Sequence, residues 1–126
     1  MSALIQPPTM GDVLKYELNP NFTRETVTLL AGTNYSVGAV LGRITASGKM
    51  KLSTVPGTDG AQIAAAVLLY DIDATAADAS AVVLLRGPAI VSKTALVFDA
   101  SVDDAAKKAA KHAQLTALGI IPRDAA

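Results

Sequence analysis

From Val27 onward, glycine, proline and other turn formers cut the chain into apolar runs too short to be ordinary helices, which limits most of the body to short strands. The runs are Val27–Ala31, Val37–Ile44, Met50–Val55 and Ile63–Tyr70. Lys49, Met50, Lys51 and Leu52 alternate polar with apolar, as a half-exposed strand does. Ala46-Ser47-Gly48 ahead of them supplies a turn, so a hairpin is expected to join the Arg43 and Met50 regions. Ala64-Ala65-Ala66 is helical by propensity alone, but it continues into Val67-Leu68-Leu69-Tyr70, which favours a buried strand. Gly87-Pro88 separates Val82–Leu85 from Ala89–Val91 and predicts a turn or strand corner, because proline cannot donate to a ladder and glycine permits a bend.

One stretch departs from this texture. Val102–Leu118 reads as a helix, with Ser101 as its cap, Asp104 three residues later, and Gly119 then Pro122 to stop it. Asp103 and Asp104 lie at the positive end of its dipole, and Asp103–Lys107 and Asp104–Lys108 are favourable i,i+4 pairs. The expected fold is therefore mainly β: a small barrel or sandwich-like domain with one C-terminal α-helix and a flexible N-terminal arm.

That arm is assigned to residues 1–21 and the β-rich domain to residues 22–126. Pro7, Pro8 and Pro20 interrupt the first segment and no periodicity organises it, so docking is its expected use. Leu4, Ile5, Val13, Leu14, Tyr16 and Leu18 are its candidate anchors. Part of Leu4–Leu18 could add as an extended strand to a sheet edge on a partner. The competing reading makes Val13–Leu18 the first strand of the domain's own sheet, which the alternation in Tyr16-Glu17-Leu18 allows.

A chain of 126 residues forms one domain by size, yet its core must be built from small side chains. Hydrophobic residues make up 51% of it but aromatics only 4%, with no Trp, so Ala, Val, Leu and Ile carry the interior. Alanine buries little area for each residue ordered, and partner subunits are expected to contribute.

Chemistry-bearing motifs are sparse. Asp71-Ile72-Asp73-Ala74-Thr75 resembles the opening of a calcium loop, but Ala76 stands where glycine is needed and Val82 where the bidentate Glu belongs, so a solvated turn is the better reading. His112 is the single histidine and has no neighbour in sequence that would make a metal pair or an oriented base. Neighbouring side chains such as Asp103 and Asp104 point to different sides of a helix and do not flank a scissile bond. Lys107, Lys108 and Lys111 read as a solvated face. Lys plus Arg balance Asp plus Glu at 11 each with no basic run, which argues against nucleic acid as a partner. Cysteine is absent, and no phosphate loop, dinucleotide fingerprint or nucleophile elbow occurs, so no cofactor, metal or enzymatic activity is expected. Met1–Met10 lacks the basic start and apolar run of a signal peptide, and no apolar stretch reaches the ~18 to 20 residues of a span, so a soluble chain without a membrane partner is expected.

Several segments, taken in order, carry a resemblance. Thr58-Asp59-Gly60-Ala61, the run Ile63–Tyr70, the acidic turn Asp71–Asp78 and the strand Ala81–Arg86 are followed by Gly87, Ala95–Phe98, Asp103-Asp104 with Lys107-Lys108, and Leu118-Gly119-Ile120. In that collinear order, over about Gly32 to Ile121, the chain resembles the phage head decoration protein family, the group containing the lambda capsid decoration protein. One departure is Phe98, near which lambda-like members carry Trp. The resemblance implies a small β-rich domain with a helix, set as a homotrimer on local three-fold axes of the expanded capsid. There it would clamp neighbouring major capsid protein subunits on the outer surface of the virion and help the shell resist packaged DNA. It also implies an N-terminal arm that orders against the shell. A stand-alone β-barrel binding module of a phage tail or fibre is the alternative, although Tyr16, Phe22, Tyr35, Tyr70 and Phe98 are few for a stacking platform.

Overall fold

The computed structural model describes residues 9–124. It opens with a single helical turn, α1 (Met10–Val13), followed by β1 (Leu14–Glu17) and a second turn, α2 (Pro20–Thr23). Proline is well placed at the start of α2, where its missing N–H would be unpaired anyway, and the Asn19 side chain accepts the Asn21 N–H at 2.9 Å. Strands β2 (Arg24–Leu29), β3 (Thr33–Tyr35), β4 (Val40–Arg43), β5 (Met50–Leu52), β6 (Ala64–Leu68), β7 (Ile72–Ala74), β8 (Ala79–Leu84) and β9 (Ala89–Ser92) come next. A 3-10 turn (Lys93–Ala95), helix α3 (Ala105–Ala117) and β10 (Ile120–Arg123) complete the order.

Strands β2, β5, β4, β6 and β8 close into a barrel, β1, β9 and β10 form a separate three-stranded sheet, and β3 pairs with β7. The mainly β fold with one C-terminal helix is thus the one expected. The hairpin joining Arg43 and Met50 is present as an antiparallel pair, and Ala64–Ala66 lies in a strand. Several barrel strands show no polar alternation because both of their faces are covered. Val40 and Val67 point to a core shared with Val13, Val91, Leu115 and Ile120, whereas their neighbours Leu41 and Leu68 point into the barrel with Leu29, Tyr35 and Met50.

Helix α3 begins later than the Val102 start expected from sequence. Asp104, not Ser101, is its N-cap, accepting the Lys107 N–H at 2.8 Å. Ser101 is used elsewhere: its Oγ donates to Asp99 at 2.6 Å and accepts the Val55 N–H at 3.0 Å. The Asp103–Lys107 pair forms at 2.8 Å. Gly119 ends the helix with a φ of +82°, and the chain enters β10, a strand not expected from the sequence.

Lys111 corrects a second expectation. It is fully buried rather than solvated, and its Nζ donates to Ser53 Oγ at 2.9 Å, to the Thr54 carbonyl at 2.8 Å and to the Gln62 carbonyl at 2.5 Å. Burial pulls its pKa below the usual lysine value, with Asp99 opposing weakly. The three acceptors use the three ammonium protons, which is how the helix tolerates a buried charge at that position. His112, next in sequence, is half-buried and tilts its ring against Phe98 with centroids 5.8 Å apart.

Candidate functional site

The candidate anchors fall on the three-stranded sheet, so its register decides what each can do. Tyr16 pairs with Ile90 and Glu17 with Ala89 across the antiparallel β1–β9 ladder, while Ile121 pairs with Ile90 and Ile120 with Ala89 across the parallel β9–β10 ladder. Residues paired across strands share a face. Tyr16, Ile90 and Ile121 therefore form one row, and Ala89 and Ile120 sit in the next row, turned into the core. The first row faces outward: Tyr16 is 48% exposed and the two isoleucines are partly so.

Where the described segment begins matters as much. Thr9 leads through α1 directly into β1, and Thr9 and Met10 line a hollow with Val37, Leu69 and Tyr70. Leu4 and Ile5 lie outside the described residues. Val13 has no exposed surface and belongs to the core, and Leu14 packs against the same cluster. Among the anchors within 9–124, only Tyr16 and Leu18 point outward, with Leu18 59% exposed and its N–H donated to the Pro88 carbonyl at 3.0 Å. The structure thus has Leu14–Glu17 as a strand of the domain's own sheet, the second of the two readings of that segment. Its pairing partner lies some seventy residues ahead, about the separation of Tyr16 from Ile90, and so local sequence could not supply it.

Ile90 and Ile121 complete the row and were not candidates from sequence. The signal that could have found them is the strand corner at Gly87-Pro88, which sets the phase of β9 and makes Ala89 and Val91 inward and Ile90 outward.

One buried-edge ion pair fixes the near end of β1. Glu17 receives the Arg24 guanidinium and the Thr23 hydroxyl, the latter at 2.6 Å, tying β1 to the start of β2. Burial pushes the Glu17 carboxyl upward, but hydrogen bonds from Arg24 and Thr23 and the Arg24 charge outweigh it, and the net pKa lies below the usual value of 4.5. A depressed folded pKa gives stability that is full above the unfolded value and lost as pH falls through the folded one. Urea unfolding between about pH 6 and pH 3 should therefore show a loss of stability beginning below about 4.5 that Glu17→Gln flattens. An identical acid limb in the variant would remove Glu17 as its source.

Asp71 and Asp73 do not converge. Asp71 accepts the Val37 N–H at 2.8 Å, and Asp73 accepts the Thr75 hydroxyl at 2.6 Å and its N–H at 3.1 Å. Among the described residues there is no group of three His, Cys, Asp or Glu side chains placed to hold a metal ion.

Comparison with known proteins bears on what the apolar face is for. No curated protein matches the chain. The family model of the bacteriophage lambda head decoration protein D matches residues 3–120 of the 126, nearly the whole chain, with β1 to β9 in full and only Ile120 of β10. The chain therefore belongs to the bacteriophage lambda head decoration protein D family and is a component of a phage head.

Proposed function

We propose that this protein binds the outer surface of the expanded phage head as homotrimers at local three-fold sites and stabilises the shell against the pressure of packaged DNA. Residues 1–8, with Leu4 and Ile5 as anchors, would add to a capsid subunit as an extended strand. Tyr16, Leu18, Ile90 and Ile121 would then seat the folded body on the same subunit or its neighbour. The observation that carries this reading is the apolar row on the outward face of the sheet into which the N-terminal segment leads.

Ordering the segment costs about 1 to 2 kcal/mol per residue, so a single copy would grip weakly. Three copies held together convert the second and third attachments into intramolecular events, and the combined grip rises without any new contact. This mechanism needs no catalytic group.

Co-sedimentation with expanded empty shells tests it. Removing residues 1–8 takes no residue from the described core and should leave thermal unfolding within about 0.5 kcal/mol of the full chain while weakening shell binding about tenfold or more. Removing residues 1–18 also deletes Val13 and β1 and is expected to unfold the domain, so it is a poor test of docking. Failure of the full-length protein to bind shells, or to appear there as three-fold protrusions on imaging, would refute the proposal.

A further inference from the structure

The barrel closes at one point only, and the seam beneath that point is open. Strand β2 is paired along its whole length to β8, from Arg24–Leu84 to Leu29–Ala79. On its other side it meets β5 only at Leu29–Met50. The Leu85 N–H donates to the Thr23 carbonyl at 2.9 Å, and the Leu30 N–H donates away from β8 to the Met50 carbonyl at 2.8 Å. Alternation along the antiparallel ladder then directs the odd-numbered backbone groups of β2 to β8 and the even-numbered ones to the seam. The Thr26 N–H and C=O and the Thr28 N–H face the seam with no strand paired to them.

This edge and the hairpin between β4 and β5 together line a groove of about 440 Å³. Thr26, Thr28, Ser47 and Ser80 line it with hydroxyls. Two of its three charged side chains are paired: Lys49 with Asp78 at 2.6 Å and Glu25 with Arg86 at 3.2 Å. Arg43 is exposed, gives one N–H to the Gly48 carbonyl at 2.9 Å, and has no carboxylate partner among the described residues.

We propose that this seam accepts an extended, carboxylate-bearing segment of a capsid subunit as an added strand beside β2. The inference rests on the decoration reading and adds to it a second contact on the folded body, separate from the N-terminal segment and from the apolar row. Backbone donors and an acceptor at strand spacing select an extended polypeptide rather than a helix or a small solute. Val27 and Leu85 are the apolar members of a lining that is mostly polar, and the unneutralised Arg43 selects a carboxylate, which its planar fork holds in a fixed geometry. The head is the assembly that family membership supplies as a partner, so the segment is assigned to the capsid rather than to a second copy.

Amide hydrogen exchange at Thr26 and Thr28 reads the contact directly, measured on the free protein at low and high concentration and on protein bound to expanded shells. Exchange at both positions should be fast in the free protein and slow on the order of 100-fold when shell-bound, while the odd-numbered amides of β2 are protected in both states. Thr26→Pro removes an outward N–H without touching the β8 ladder, and Arg43→Ala removes the charge. Each should weaken shell binding about fivefold to tenfold with thermal unfolding little changed. Shell binding with both amides still exchanging fast would overturn this proposal and leave the decoration reading intact. Protection that grows with concentration in the free protein would overturn it in favour of a second copy as the occupant. Absence of shell binding altogether would overturn the decoration reading and this contact with it.

Discussion

Lys111→Met should destabilise the protein by about 2 to 4 kcal/mol, a fall of roughly 10 °C in unfolding temperature for a domain of this length. The substitution keeps a stem of the same length, with sulfur in place of the δ-methylene, and removes the ammonium. The Thr54 and Gln62 carbonyls then lose their shared donor in a place where burial limits replacement by water. Ser53 is less affected, since its hydroxyl also donates to the Ala61 carbonyl at 2.7 Å. Relief of the cost of burying the charge offsets part of the loss, which is why the estimate stays below that for a severed buried ion pair. Lys107→Met is the matched control on the same helix: it removes an exposed pair with Asp103 and should change stability by less than about 0.5 kcal/mol. Urea unfolding of the two variants separates the cases, and equal small effects would show that the buried ammonium contributes nothing net.

Gly87→Ala is expected to cost about 3 kcal/mol or more, and to weaken shell binding with it. A Cβ built on Gly87 would lie 1.8 Å from the Gly119 carbonyl oxygen and 2.3 Å from its carbon. Both atoms are backbone, so no side chain can rotate aside. The two segments are tied there by the Gly87 N–H to the Leu118 carbonyl at 2.9 Å and the Ala89 N–H to the Gly119 carbonyl at 3.1 Å. Forcing them apart separates β9 from the start of β10, and with it the Tyr16, Ile90 and Ile121 row. Gly11→Ala, whose Cβ would meet only Thr9 Oγ1 at an ordinary 3.8 Å, is the control and should be close to neutral. Calorimetry of the pair, followed by co-sedimentation, reads both effects; a Gly87→Ala protein as stable as the parent would show that the approach of the two backbones is not a constraint.

The N-terminal segment shows where local reading stops. Residues 9–18 carry few periodic signals, and Val13 and β1 are held by strand β9 and a core drawn from across the chain. Tyr16 and Leu18 could be singled out from sequence as apolar residues in a polar context, whereas Val13 and Leu14, of the same chemical type, turn inward. Nothing in their neighbours distinguishes the two pairs; the register shift between Leu14 and Tyr16 in the β1–β9 ladder does, setting Leu14 opposite the inward Val91 and Tyr16 opposite the outward Ile90.

Local grammar is legible along the chain. Turn residues at Ala46-Ser47-Gly48 set the β4–β5 hairpin, the unbroken Ala64–Leu68 run made a strand covered on both sides, and Gly119 ended the helix. The order of these segments also carried the family resemblance, because that order is a property of the chain rather than of its packing. Folding alone settles that five strands close with an open seam, that Ile90 and Ile121 join Tyr16 in an outward row, and that Lys111 is buried among three oxygen acceptors. The physical reason is reach. Turns and caps are settled by groups within a few residues of one another, whereas strand registry and the satisfaction of a buried charge depend on groups that only folding brings together: Lys111 and Ser53 lie 58 residues apart.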